Sequence, residues 1–160
     1  MQYADHELNY AGDVLDGRKH GKGTMKYKDG GIYNGGWRDN VRFGSGTLTI
    51  LSCSYNGEWG DDKKNGFGTE VKGGATYTGT WKDDTRAAGD GRMLTGHGSL
   101  YEGQWNGTLQ RHGQGYELLR TGDHYVGQWA GDQKNGTGVC MYASGDKYDG
   151  GWMDNQMHGA

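Results

Sequence analysis

A five-residue block, Tyr-x-Gly-x-Trp, recurs along this chain at near-constant intervals, and that recurrence limits the possible folds more than any other feature. It reads YNGGW from Tyr33, YNGEW from Tyr55, YTGTW from Tyr77, YEGQW from Tyr101, YVGQW from Tyr125 and YDGGW from Tyr148. A weaker copy, YAGDV, starts at Tyr10 and carries Val14 in place of Trp. All six tryptophans occupy this one position, and seven of the eleven tyrosines open a block. Consecutive starts at 10, 33, 55, 77, 101, 125 and 148 lie 22 to 24 residues apart. Every copy but the last is followed by Gly-x-Gly, at Gly21/Gly23, Gly44/Gly46, Gly66/Gly68, Gly89/Gly91, Gly113/Gly115 and Gly136/Gly138. The first of these glycines comes twelve residues after Tyr77 and Tyr101 but eleven after the other tyrosines, which predicts a one-residue insertion in the turn of those two copies.

Within a block the side chains alternate as in a β-strand. Tyr, Gly and Trp share one face, while Asn56 and Glu58, or Glu102 and Gln104, fall on the other. One face is aromatic and the other is wet. The glycine between the rings leaves room for a ring to lie across the backbone. Turn-forming residues that tolerate left-handed backbone follow, among them Gly17, Asn40, Asp62, Asp84, Gly131-Asp132 and Asn155. Strand-like runs such as Thr47-Leu48-Thr49-Ile50 come after the Gly-x-Gly, and a second turn such as Asp29-Gly30 leads to the next Tyr. Each repeat therefore reads as one antiparallel hairpin. A lone hairpin is barely stable in water, so the repeats must stack and share an aromatic layer. The expected fold is all-β, an elongated single-layer array of stacked hairpins on the order of 65 Å long at about 4.8 Å per strand. Residues 1–9 form a lead-in and 10–160 the array, whose last copy lacks a second strand.

This pattern resembles the MORN repeat, the membrane occupation and recognition nexus motif, over nearly the whole chain from Tyr10 to Gly159. The resemblance implies a scaffold at the junction of membrane and cytoskeleton, with protein partners, occasional self-association and a proposed affinity for phosphoinositides. It also leaves open a regulatory repeat region of a larger enzyme, since similar repeats accompany lipid kinases and methyltransferases.

Composition narrows the alternatives. Only 32% of residues are hydrophobic, with 34 glycines and no proline, so the chain can bury rings but little aliphatic bulk. A net charge of −3 creates no field that would attract nucleic acid. No run of 18 apolar residues and no basic, apolar leader is present, which predicts a cytoplasmic protein, neither secreted nor transmembrane. Cys53 and Cys140 form no metal or redox motif and read as reduced packing residues.

Motifs that might suggest catalysis fail on spacing. The string Gly17 to Thr24 lacks the glycine spacing of a phosphate loop. His20, His112 and His158 precede the first glycine of the pair, a place held by Asn65 and Asn135 elsewhere, which suggests a turn hydrogen bond. No catalytic, cofactor-binding or metal-ligating residues are selected, and no cofactor is expected. The candidate partner surface consists of the stacking rings Tyr33, Trp37, Tyr55, Trp59, Tyr77, Trp81, Tyr101, Trp105, Tyr125 and Trp129. Taken singly, each ring is first of all a core residue, so the binding reading rests on the whole face, which suits an extended or helical segment of a protein partner. A basic cluster, Arg18, Lys19, Lys22, Lys26 and Lys28, is the candidate phosphoinositide contact. Tyr148 and Trp152, expected to lie on an open edge with a half-covered ring, are the candidate contacts of a homodimer.

Overall fold

The computed structural model describes residues 7–159. Fourteen antiparallel strands and no helix occur among them, in one open sheet whose strand order is chain order. The chain divides into two compact units, taken here in turn. The first contains the residues up to Gly73 together with Trp81–Thr85, and the second Gly74–Thr80 together with Arg86 onward.

In the first unit, β1 (Glu7–Leu15), β2 (Arg18–Tyr27), β3 (Ile32–Arg38), β4 (Val41–Ile50), β5 (Cys53–Gly60) and β6 (Lys63–Lys72) make three successive hairpins. β7 (Ala75–Lys82) and β8 (Thr85–Leu94) form the fourth repeat. The second unit continues with β9 (Leu100–Trp105), β10 (Arg111–Leu118), β11 (His124–Ala130), β12 (Gln133–Met141), β13 (Lys147–Met153) and β14 (Gln156–Met157).

The turn after each Trp is built as its residues require. Asp61 and Asp62 have φ of 49° and 65°, and Asp39-Asn40, Gly131-Asp132 and Asp154-Asn155 repeat the pair of left-handed residues. Two consecutive positive φ values make the turn that matches the twist of a hairpin, and Asp, Asn and Gly tolerate them best.

The glycines divide the work. The first glycine of the Gly-x-Gly is left-handed, φ 70° at Gly44 and 75° at Gly66, where it sits at a register shift between the strands. The second is needed for space. A Cβ on Gly46 would lie 2.2 Å from the Tyr33 hydroxyl, because that ring lies flat over Gly35 and Gly46 and donates to the Gly36 carbonyl at 3.0 Å. The ring thus covers glycines of its own hairpin.

Three expectations need correction. The last copy does have a second strand, since β14 pairs with β13 through Trp152↔Met157 and Met153↔Gln156. The fourth copy carries its extra residue in β8, not in the turn: Asp83-Asp84 keeps φ of 47° and 67°, and Ala87-Ala88 stands where the third copy has Asn65 alone. Only the copy from Tyr101 has a longer turn, Asn106 to Gln110, closed by the Asn106 carboxamide oxygen accepting from Thr108 N and Gln110 N. Finally, His20, Asn65, His112 and Asn135 lie within strands beside the bulge and not in turns. Cys53 and Cys140 are free thiols, and Cys140 is buried in the core as a packing residue.

Candidate interaction surface

The rings are the interior. Tyr33 and Tyr125 are fully buried and Trp59, Trp81 and Trp129 nearly so. Trp59 stands edge-on between two tyrosines, 5.3 Å from Tyr33 of the preceding repeat and 5.2 Å from Tyr55 of its own, and Trp129 lies likewise between Tyr101 and Tyr125. Edge-to-face geometry sets the positive ring edge against the negative face and contributes about 0.5–1.5 kcal/mol per pair. The indole N–H of Trp59 donates to Gly46 O at 3.0 Å and that of Trp81 to Gly68 O at 3.1 Å, so these tryptophans also tie their repeats to the ones before, whereas the buried Trp105 N–H finds no acceptor. In the copy lacking Trp, Val14 is 61% exposed.

A column of cations, missed in reading the sequence, completes this interior. Lys19, Arg42, Lys64, Arg86, Arg111 and Lys134 each stand shortly before the Gly-x-Gly of their repeat. The Arg42 guanidinium lies 4.2 Å over Trp59, Lys64 Nζ 4.6 Å over Trp81, Arg111 4.2 Å over Trp129 and Arg86 4.3 Å over Tyr77. A cation over an indole face is attracted by its quadrupole. Counter-charges come from the next repeat or the same face: Arg42 meets Asp62 at 3.1 Å, Lys64 meets Glu70, and Arg111 bridges Glu117 and Asp132.

The same residue pairs lock the repeats through the backbone. Arg42 N donates to the Asp62 carboxylate at 2.8 Å while Asp62 N donates to Arg42 O at 3.2 Å. Lys19 with Asn40, Lys64 with Asp84, Arg111 with Asp132 and Lys134 with Asn155 repeat this exchange. Burial holds the tyrosine hydroxyls protonated, raising Tyr55, Tyr101 and Tyr125 to about 12 and Tyr33 further still.

Of the five residues in the basic cluster, Lys19 is drawn into the ring column, paired with Glu7 and 4.8 Å over Trp37. Arg18 lies 3.7 Å from Asp39, while Lys22 and Lys26 are exposed on β2 between buried Gly23, Met25 and Tyr27. At the C-terminal end Trp152 is buried between Tyr125 and Tyr148 with its N–H on Gly138 O, so the half-covered ring expected there is not found.

On the ring side of the second unit lies a hollow of about 260 Å³, lined in part by Met93, Thr95, Tyr101 and Trp105. Thr95 is small where other copies place Tyr27, Ile50, Leu119 or Tyr142. The charges lining it, Arg111 and Glu117, neutralise each other.

The opposite face differs between the units. In the first, register stacks Thr24, Asn34, Thr47, Asn56 and Thr69 in one polar row. In the second, the same positions form the row Arg92, Glu102, Tyr116, Val126, Val139, Asp149, and beside it run Leu94, Leu100, Leu118, His124, Met141, Lys147. The two rows share one face, with Tyr116 and His124 in ring contact at 6.2 Å. Their central members make an apolar block in which Val126 remains 53% exposed and Met141 40%. The repeat does not require apolar residues in the row of Val126, because the first unit builds that row with Thr and Asn, although its neighbouring row includes Ile32 and Val71.

A family model, described as MORN repeat, matches residues 10–32, 33–50, 55–73, 125–147 and 148–160, more than half of the chain. The chain belongs to the MORN-repeat family. The two copies outside the matched segments, from Tyr77 and Tyr101, are the two with an extra residue. MORN repeats are a non-catalytic repeat type that commonly binds proteins or membranes. No curated protein matches the chain significantly. Among solved structures, this MORN array is similar to the TCP domain of SAS-4 (dCPAP) in complex with a proline-rich motif of Ana2 (dSTIL) of Drosophila melanogaster. The identity is 9% and the TM-score 0.44, over 86% of this chain and 85% of that one. Among the described residues no helix is long and apolar enough to cross a membrane, and no group of His, Cys, Asp and Glu could hold a metal ion.

Proposed function

We propose that this MORN array is a non-catalytic scaffold that binds a protein partner, and that the contact is made by the face opposite the rings. The observation that carries this reading is the apolar block on the second unit, where Val126 stands exposed at the position that the first unit fills with Asn34 and Asn56, and Met141 stands exposed beside it. Exposed apolar surface that the fold does not require marks an interaction site. The ring side is less suited to the task, because its tyrosines, tryptophans and cations are engaged with one another. A location at the junction of membrane and cytoskeleton belongs to this proposal as what the family resemblance implies. The phosphoinositide reading draws less support, since Lys19 is taken from its cluster by Glu7 and Trp37.

The test is capture from cell extract with the intact chain as bait, against a Val126→Glu bait. Val126 points away from the rings, so the variant should melt like the parent while losing its specific partners. Equal capture by both baits would overturn the assignment of this face.

A further inference from the structure

Four repeats end in the same turn, and one of them lacks the bulky side chain that opens it in the others. Tyr27, Thr95, Leu119 and Tyr142 each donate a backbone N–H to the carbonyl four residues on and accept from the amide three residues on, so they hold equivalent places. Residues two apart in extended chain share a face, which sets beside them Met25, Met93, Glu117 and Cys140 in turn. Where that neighbour carries sulfur the turn opens with tyrosine, as Met25 with Tyr27 and Cys140 with Tyr142. Tyr27 is 4% exposed, and Tyr142 packs against the core cluster that holds Cys140 and Trp152. Sulfur beside an aromatic ring is a favourable contact. Met93 keeps the sulfur, but Thr95 stands in place of the ring.

The hollow of about 260 Å³ opens at this place, with Met93, Thr95, Ser99, Tyr101, Trp105 and Glu117 in its wall. An apolar cavity of about 150 Å³ admits benzene, so there is room here for a substituted ring. Two polar groups in the wall suit a phenol. Thr95 Oγ1 accepts from Ser99 N at 3.0 Å and keeps its own hydrogen to donate, and the Glu117 carboxylate can accept. Trp105 is less fully engaged than its counterparts: it lies 5.9 Å from Tyr77, where Trp129 lies 5.4 Å from Tyr101, and its N–H lacks the carbonyl that Trp129 finds on Gly115.

We propose that this hollow is a binding site for one tyrosine side chain, presented by a segment of another protein. The guest ring completes the repeat from outside, as Tyr27 and Tyr142 complete theirs from within. Arg111 and Glu117 are paired with each other, so the wall offers no free charge to the ammonium and carboxylate of the free amino acid, which a chain segment does not carry. The socket lies on the ring side and is independent of the apolar block.

Titration of the full chain with N-acetyl-tyrosinamide, p-cresol and N-acetyl-phenylalaninamide, followed by the indole N–H resonances in heteronuclear NMR, tests this. The Trp105 resonance should move and that of Trp152 should stay, with dissociation on the order of millimolar for a guest of this size. The two phenols should bind about equally, and the phenylalanine derivative about tenfold more weakly for want of the hydroxyl. Thr95→Tyr fills the hollow with the residue found at Tyr27, and Thr95→Leu with the one found at Leu119. Both variants should melt no lower than the parent and weaken binding at least tenfold. No movement at Trp105 with millimolar guest, unchanged binding in both filled variants, or equal binding of the phenylalanine derivative would overturn the tyrosine site. Binding of p-cresol but not of N-acetyl-tyrosinamide would make a free phenol the occupant and overturn the protein source. Val126→Glu should bind these guests as the parent does, so failure here leaves the assignment of the apolar face standing.

Discussion

Trp81→Ala is expected to destabilise the array by about 3–5 kcal/mol, the range for truncating a buried aromatic side chain. Its ring is 3% exposed, meets Tyr55 edge-on at 5.3 Å, carries Lys64 Nζ at 4.6 Å and donates to Gly68 O. Alanine removes those contacts, leaves a cavity and opens the junction with the preceding repeat. Because stacked repeats stabilise one another through nearest-neighbour contacts, the loss should broaden unfolding and not stay local. Denaturant titration reads the effect, and an unaltered unfolding curve would refute the role given to the indole column. Trp81→Phe should cost less, since it keeps a ring against Tyr55 and forfeits the hydrogen bond.

Asp62→Ala is expected to cost about 3 kcal/mol, at the low end of the range for removing one partner of a buried ion pair. Arg42 is only 2% exposed, and its guanidinium and backbone N–H both rely on the Asp62 carboxylate. The low end applies because the Asp62 side chain is 42% exposed and its carbonyl remains as an acceptor for Arg42. Alanine also tolerates the turn's φ of 65° poorly. Asp62→Asn separates these contributions. Asn40 and Asn155 already serve in the same place against Lys19 and Lys134, so the turn and the backbone exchange should survive and only the charge be lost. Thermal melts of the two variants should differ clearly, and equal costs would mean that the carboxylate charge, absent from both, carries the lock.

Much of this fold was legible because its information is local and repeated. Tyr-x-Gly-x-Trp fixes strand, face and register at once, and a pair such as Asp61-Asp62 fixes the turn, so the hairpins could be counted directly. The two roles of Gly-x-Gly were less visible, since one glycine answers to φ and the other to the ring lying over it. The cation column did have a signal, because Lys or Arg stands before the Gly-x-Gly in all six copies that have one. It was obscured by treating Lys19 as part of a surface cluster and by attending to the neighbouring His and Asn. The apolar block left almost no local trace. Val126, Tyr116 and Leu100 belong to different strands, and only the register lays them side by side. The missing second strand was misjudged because two residues, Gln156 and Met157, suffice to cover the end of β13.

The assignment of the outward face to binding presupposes that the rings are interior, and tyrosine ionisation measures that directly. A phenol whose folded pKa lies above its unfolded value contributes stability that is complete below about pH 10 and is lost as pH rises toward 12, at up to about 1.4 kcal/mol per unit for each group. Tyr33, Tyr55, Tyr101 and Tyr125 should therefore resist ionisation near pH 10 and release their protons only together with the loss of β-sheet circular dichroism. Tyrosinate absorbance that rises through the ordinary range near pH 10 for all the tyrosines, with the sheet still intact, would contradict a buried ring column and return the rings to the surface.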